Sequence, residues 1–220
     1  MNNKTILILS ILTIICFNLY SQNLFEGKIY YKVETELKYE NNRYNNYLSN
    51  KWGDTLVVYH SKDGFQKREY KNSKPYGFEY QIYNPKKNIY YGKWNSNDTV
   101  YYYECSETVT ELTEIRKSED KMGFSGNWNS VTMKFYYTQN DEYVEAKYFF
   151  DRRIKMNPIN YERFKDFHFN ILYKEIKSHI MQWSLDMDLV KVTFEAVKVE
   201  EMKLSKKIFN LDENLPYKKS

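Results

Sequence analysis

Cysteine is almost missing from this chain: two residues in 220, Cys16 and Cys105. Cys16 falls in an N-terminal apolar stretch read below as removable, so the lone Cys105 excludes an intramolecular disulfide from the remainder. Cys105 closes the run Tyr101-Tyr102-Tyr103-Glu104-Cys105, on the strand face of Tyr101 and Tyr103, where a small buried hydrophobe is expected. Histidine is equally scarce. His60, His168 and His179 stand at no metal-ligand spacing, and neither His-Glu-x-x-His nor paired cysteines occur, so no zinc motif is present. Seven glycines and four prolines exclude a flexible linker, a low-complexity tract and a glycine-rich phosphate loop. No fixed period marks a repeat. The formal charge of +4 is too mild to imply nucleic acid, and its lysines interleave with acids as on a solvated face.

Catalytic signatures are missing too. Gly123-Phe124-Ser125-Gly126 has a serine between glycines, but a nucleophile elbow needs glycine two places before and two after the serine. A loop is the expectation there. Carboxylates are plentiful, yet no spacing selects a pair for general acid and base work. No enzyme activity, catalytic residue, metal or cofactor is expected.

What is present begins at the N-terminus. Asn2, Asn3 and Lys4 precede an apolar stretch from Ile6 to Phe17, broken only by Ser10 and Thr13. It is shorter than the roughly 18 apolar residues of a transmembrane helix and fits a signal-peptide core. Ser21 supplies the small residue before the cut, so residues 1–21 are expected to be removed. Ile15 is too bulky for lipoprotein processing at Cys16, and lipidation is not expected. Residues 22–220 then form one domain, exported to the periplasm or beyond, with no further run of membrane length. A monomer is expected.

The rest is aromatic and alternating. Phe25, Gly27, Ile29, Tyr31, Val33, Thr35 and Leu37 fall on one side of a strand, and Glu26, Lys28, Tyr30, Lys32, Glu34 and Glu36 on the other. Glu40 to Asn46 reads as a turn before a second strand that ends near His60. Lys62-Asp63-Gly64 is a hairpin signal. Three aromatic runs, 76–83, 89–94 and 99–105, are separated by Asn84-Pro85-Lys86-Lys87-Asn88 and Asn95-Ser96-Asn97-Asp98, which predicts an antiparallel meander. Further strands are predicted over 108–117, through Val131, Met133, Phe135 and Tyr137, and, after a turn at Asn140-Asp141, over 143–150.

The period changes at Asn157-Pro158, a cap followed by a proline suited to the first helical position. Tyr161, Phe164, Phe167 and Ile171 then draw an apolar stripe along one helix. Alternation returns with Met181, Trp183, Leu185 and Met187, and residues 191–200 complete a terminal hairpin. Leu204 and Phe209 tuck a short segment on the sheet, and Pro216 marks a fraying end. One narrow helix cannot cover nine or ten strands, so the sheet must curl. The expected fold is mainly β (α+β): a curled antiparallel sheet or half-open β-barrel with one amphipathic helix packed on its concave face.

Several of these segments carry a resemblance. Phe25-Glu26-Gly27-Lys28-Ile29, the tyrosine-rich meander, the helix opened by Asn157-Pro158, and Thr193-Phe194-Glu195-Ala196-Val197 resemble small secreted Bacteroidota proteins of unknown function. The layout is similar to periplasmic lipoprotein carriers of the LolA/LolB class. That resemblance implies a half-open barrel with helical cover, and a lipid or lipoprotein partner. Asp54-Thr55-Leu56 and Asp98-Thr99-Val100 also resemble short O-glycan acceptor patterns of Bacteroidota envelope proteins.

A broad dry sheet face under one narrow helix leaves concave apolar space. The expected function is therefore binding of an apolar ligand, a lipid or lipoprotein acyl chain. Its expected lining is Tyr31, Val33, Phe135, Tyr137, Phe164, Phe167, Met181 and Trp183. The alternative is a glycan-binding or adhesive module in which outward Tyr90, Trp94 and Tyr102 stack on sugars. Inward aromatics favour the first, and a flat outward ridge the second.

Overall fold

Along Gly27–Leu37 (β1) burial alternates: Gly27, Ile29, Tyr31 and Val33 are buried, while Lys32 and Glu34 are exposed. The same rule organises the rest of the protein, seen here in a computed structural model that describes residues 24–39, 45–75, 77–138 and 141–220. The segment expected to be a signal peptide lies outside the described residues, as do most of the expected turn at 40–46, Tyr76 and Asn140.

After β1 come a six-residue helix, Asn45–Asn50 (α1), and five strands: Thr55–His60 (β2), Gln66–Lys71 (β3), Phe78–Asn84 (β4), Ile89–Trp94 (β5) and Val100–Glu104 (β6). A second meander follows in Thr110–Gly123 (β7), Gly126–Tyr137 (β8) and Glu142–Lys155 (β9). Helical turns lead to Phe169–Ile176 (α2), then Ser178–Asp186 (β10) and Val190–Glu201 (β11). The C-terminal Tyr217–Lys219 (β12) pairs in parallel with β6, so the end past Pro216 is tied to the sheet rather than frayed.

The strands form one sheet in the order β12-β6-β5-β4-β3-β2-β1-β11-β10-β9-β8-β7. Every neighbouring pair except β12 with β6 is antiparallel. The chain itself shows that this sheet is curled. Ten strand spacings separate β6 from β7 in the sheet order, about 48 Å if the sheet were flat. Only residues 105–109 join them, a span of at most about 22 Å when fully extended. The two flanks must therefore bend toward each other, which makes an unclosed half-barrel with an enclosed face.

The helical segment stands at that gap. Its start is as the sequence implies: the Asn157 side chain accepts from the Ile159 amide at 3.2 Å, and Pro158 opens a 3₁₀ turn to Tyr161. It does not continue as one helix. A second 3₁₀ turn spans Asp166–His168, and only then does α2 begin. Phe167 and His168 both have positive φ, 46° and 57°, conformations that β-carbon sterics disfavour. Tertiary partners compete with regular helical bonding here. The Lys165 amide donates to the Cys105 carbonyl at 2.7 Å, and His168 Nε2 lies 3.0 Å from the Thr110 carbonyl oxygen. Ile171, expected on the apolar stripe, is exposed, because the break rotates α2 to bury Leu172, Tyr173 and Ile176 instead.

The core divides by sheet face. Inside, Tyr83, Tyr90 and Phe135 pack with Tyr161, Phe164 and Leu172 of the helical segment. Beside them Ile29, Tyr31, Val33, Leu56, Val58 and Phe194 join β1, β2 and β11. On the outer face Ile82, Tyr91 and Val100 are covered by Leu211 and Leu215 of the C-terminal tail. Among the described residues no helix is long and apolar enough to cross a membrane.

Candidate functional site

Three groups of side chains meet across the enclosed face around a cavity of about 160 Å³. Alternation along β1, β2 and β3 points Tyr31, Val58, His60, Gln66 and Arg68 inward. Tyr148 of β9 and Ile180, Trp183 and Leu185 of β10 face them from the other meander, and Phe167, Phe169 and Tyr173 come from the helical segment. Arg68, Phe167, Phe169, Trp183 and Leu185 keep partial exposure while the other lining residues are buried, so the opening lies on their side.

Most of the lining is apolar or aromatic, with Trp183 stacked on Phe194 at 4.3 Å and edge-on to Tyr31 at 5.0 Å. Its phenols are kept neutral: burial pushes the pKa of Tyr31, Tyr148 and Tyr173 above the usual tyrosine value. Tyr31 donates to the Ile180 carbonyl at 2.7 Å. Polar groups converge at one place only, on β2 and β3. Arg68 Nε donates to Gln66 Oε1 at 3.0 Å, and because arginine has no acceptor, this contact orients the amide. The Gln66 nitrogen then faces His60 Nδ1 at 3.4 Å and donates to it. A neutral His60 must therefore carry its proton on Nε2.

His60 is neutral because burial drives its pKa well below the usual histidine value, helped by His179, whose ring lies 4.0 Å away. Burial takes His179 down to about 3. Two imidazoles so close and so enclosed disfavour any proton beyond the neutral state.

The eight residues expected to line a site are thus divided. Tyr31, Phe167 and Trp183 line the cavity. Val33, Phe135 and Phe164 are filled core, and Tyr137 is half-buried with its ring 6.1 Å from Phe167. Met181 is fully buried away from the cavity. The reason is a β-bulge: Ile180 pairs with Phe150 and Gln182 with Phe149, leaving Met181 as the extra residue. Parity shifts there, so Ile180 joins Trp183 and Leu185 in the lining. Sequence reasoning also missed His60, Gln66 and Arg68. The signal was available, since Gln66, Arg68 and Tyr70 alternate with Lys67, Glu69 and Lys71, but polar side chains in such a run read as a solvated face.

Other features fit less well. A larger groove of about 740 Å³ is bordered by Lys67, Glu69 and Lys71, whose charges already pair with each other at 2.9 and 3.2 Å. Ser125 sits in the two-residue turn between β7 and β8, donates to Asp151 at 2.9 Å and accepts from the Trp128 indole at 3.0 Å, a structural role. Cys105 is buried as expected, with burial raising its thiol pKa to about 12. Among the described residues no three His, Cys, Asp or Glu side chains gather as a metal site. The three aromatics of the glycan alternative share no outward ridge: Tyr90 is buried inside, Trp94 packs at a tilt on Phe78 at 3.8 Å, and Tyr102 packs on the outer face beside Leu211 and Leu215.

The fold and cavity thus describe a mainly β, unclosed half-barrel with a mostly apolar internal space. No protein-family model matches the chain, and a search of curated proteins finds no match to it.

Proposed function

We propose that the protein binds a small apolar group, such as the end of one acyl chain or a single ring, in the cavity between β1–β3, β10 and the helical segment. The observation that carries this reading is the cavity of about 160 Å³ lined by Tyr31, Val58, Tyr148, Ile180, Trp183 and Leu185. An engineered apolar cavity of about 150 Å³ stays dry and takes benzene, so about five or six heavy atoms fit inside, with the rest of a longer ligand at the opening. Such a body gains about 4 kcal/mol at roughly 0.8 kcal/mol per methylene, which corresponds to a dissociation constant near 1 mM. A binder of several long chains at once would need more room than this. The expected export of the chain belongs to the same proposal, since envelope proteins meet acyl chains. Protein isolated from its native host should begin near Gln22, and intact mass tests that.

Binding is tested with 6-bromohexan-1-ol, a neutral probe whose bromine quenches indole fluorescence on contact. Titration into the tens of millimolar is expected to quench the folded protein saturably, and Trp183→Phe to remove the saturable part. Replacing Leu185 with Phe, to fill the space, should weaken the probe without unfolding the chain. Linear, non-saturating quenching that ignores both variants would leave a filled core and end this reading.

A further inference from the structure

The polar end of the cavity is built for more than a neutral guest. Arginine keeps its charge at any pH a protein tolerates. Yet among the described residues Arg68 belongs to none of the ion pairs. The contacts of its guanidinium are Gln66 Oε1 at 3.0 Å, the Tyr70 hydroxyl, and the face of Trp183 at 5.9 Å, all neutral groups. The surrounding phenols cannot neutralise it, because burial holds them protonated. Asp166 of the helical segment feels the Arg68 charge but makes no ion pair with it, and accepts instead from the Tyr103 hydroxyl at 2.8 Å. A partly buried cation on an apolar wall without an ion-pair partner is costly unless something anionic joins it.

A second observation is independent of that charge. His60 has only 3% of its surface exposed, and its Nε2 is buried with no hydrogen-bond partner among the described residues. The Gln66 contact puts a proton on that nitrogen, so a lone donor belongs to a residue of the same lining as the guanidinium. Unsatisfied buried donors are rare and need an explanation. One acceptor with two oxygens and one negative charge would answer both, and the rest of the wall is apolar.

We propose that the ligand is an apolar monocarboxylate, its carboxylate held by Arg68 and His60 and its hydrocarbon body lying against Trp183, Leu185, Ile180 and Phe167. The proposal rests on the apolar-cavity reading above and specifies the head group that this cavity selects. Charge-assisted hydrogen bonds are roughly twice as strong as neutral ones. The anionic head therefore turns a weak hydrocarbon site into a selective one.

The test is a head-group series at constant body: 6-bromohexanoate, 6-bromohexan-1-ol and 6-bromohexylamine, each read by quenching of Trp183 at pH 7.5. The carboxylate is expected to bind at least about tenfold tighter than the alcohol, and the amine weaker than both. Arg68→Met should abolish the preference for carboxylate over alcohol, Arg68→Lys should restore part of it, and His60→Phe should lower the ratio of carboxylate to alcohol affinity severalfold. Should the Arg68 variants fail to fold, the series on the unmodified protein decides alone. Carboxylate and alcohol binding equally would overturn the anion proposal and leave the apolar site standing. No saturable quenching by any of the three would remove the site and the proposal together.

Discussion

Phe164 and Phe167 lie three residues apart in the same segment and end in different surroundings. Phe164 is buried, stacked on Tyr83 at 4.3 Å and packed on Phe169 at 5.1 Å. Phe167 is half-exposed, has positive φ, and meets Phe135 and Tyr137 only at 6.4 and 6.1 Å. One end of the segment closes the half-barrel as a filled wall, and the other borders its cavity. Packing density, rather than residue type, separates the two, and a protein that holds a guest needs both kinds of surface. The filled wall keeps the sheet curled. The loosely packed side leaves room and, being strained, is the cheaper part to move.

The strongest way to break this comparison is to cut both side chains back. Phe164→Ala is expected to cost about 3–5 kcal/mol in denaturant melts, the range for a large ring lost from a tight core. Equal losses from Phe164→Ala and Phe167→Ala would mean that both ends are core.

Acid should act next most strongly, through the buried imidazoles between β2 and β10. His179 titrates at about 3 when folded and near 6.5 when unfolded, so between these values the unfolded chain binds more protons. Stability is then complete above pH 6.5 and declines as pH falls toward 3. From pH 7 to pH 5 this one group is expected to cost about 2 kcal/mol. His60 acts in the same sense, its pKa also being lowered by burial. Asp166, whose pKa burial raises, acts in the opposite sense. Comparing melts of the unmodified chain with His179→Phe at both pH values isolates the imidazole, and an unchanged slope would contradict its buried neutral state.

On the cavity side the effects shrink. Phe167→Ala is expected to cost only about 1 kcal/mol of stability, given its half-exposure. It should still change the affinity of 6-bromohexan-1-ol severalfold, since the ring borders the cavity. Smallest is Lys177→Gly at the end of α2. Lys177 has φ 51°, a conformation glycine adopts without steric cost, so a gain of up to about 1 kcal/mol is expected by thermal melting. A loss there would mean that the Lys177 side chain contributes more than the backbone strain removes.

Much of the fold was legible because strands declare themselves locally. The burial of Ile29, Tyr31 and Val33 follows from alternation alone, and the hairpin at Lys62-Asp63-Gly64 and the cap at Asn157 from turn and capping chemistry. The site was legible only in part. Tyr31, Phe167 and Trp183 reach the cavity, whereas Met181 is displaced by a bulge that no local pattern announces. Ile171 fails for a similar reason: two left-handed residues before α2 turn the expected stripe to solvent. Arg68 was hidden by its company, a polar residue among lysines and glutamates whose neighbours happen to face outward.

By itself the sequence determined a mainly β chain, one dry sheet face, and a helical segment late enough to close over it. These follow from side-chain period and turn chemistry, which act over a few residues. Only the tertiary structure decided where the dry face stays unfilled and which charge it encloses. The short 105–109 connection bends two distant strands together, the Met181 bulge shifts parity on β10, and the bond from Lys165 to Cys105 interrupts the helix. Each joins parts of the chain far apart in sequence, and together they bring Arg68, His60 and Trp183 to one cavity.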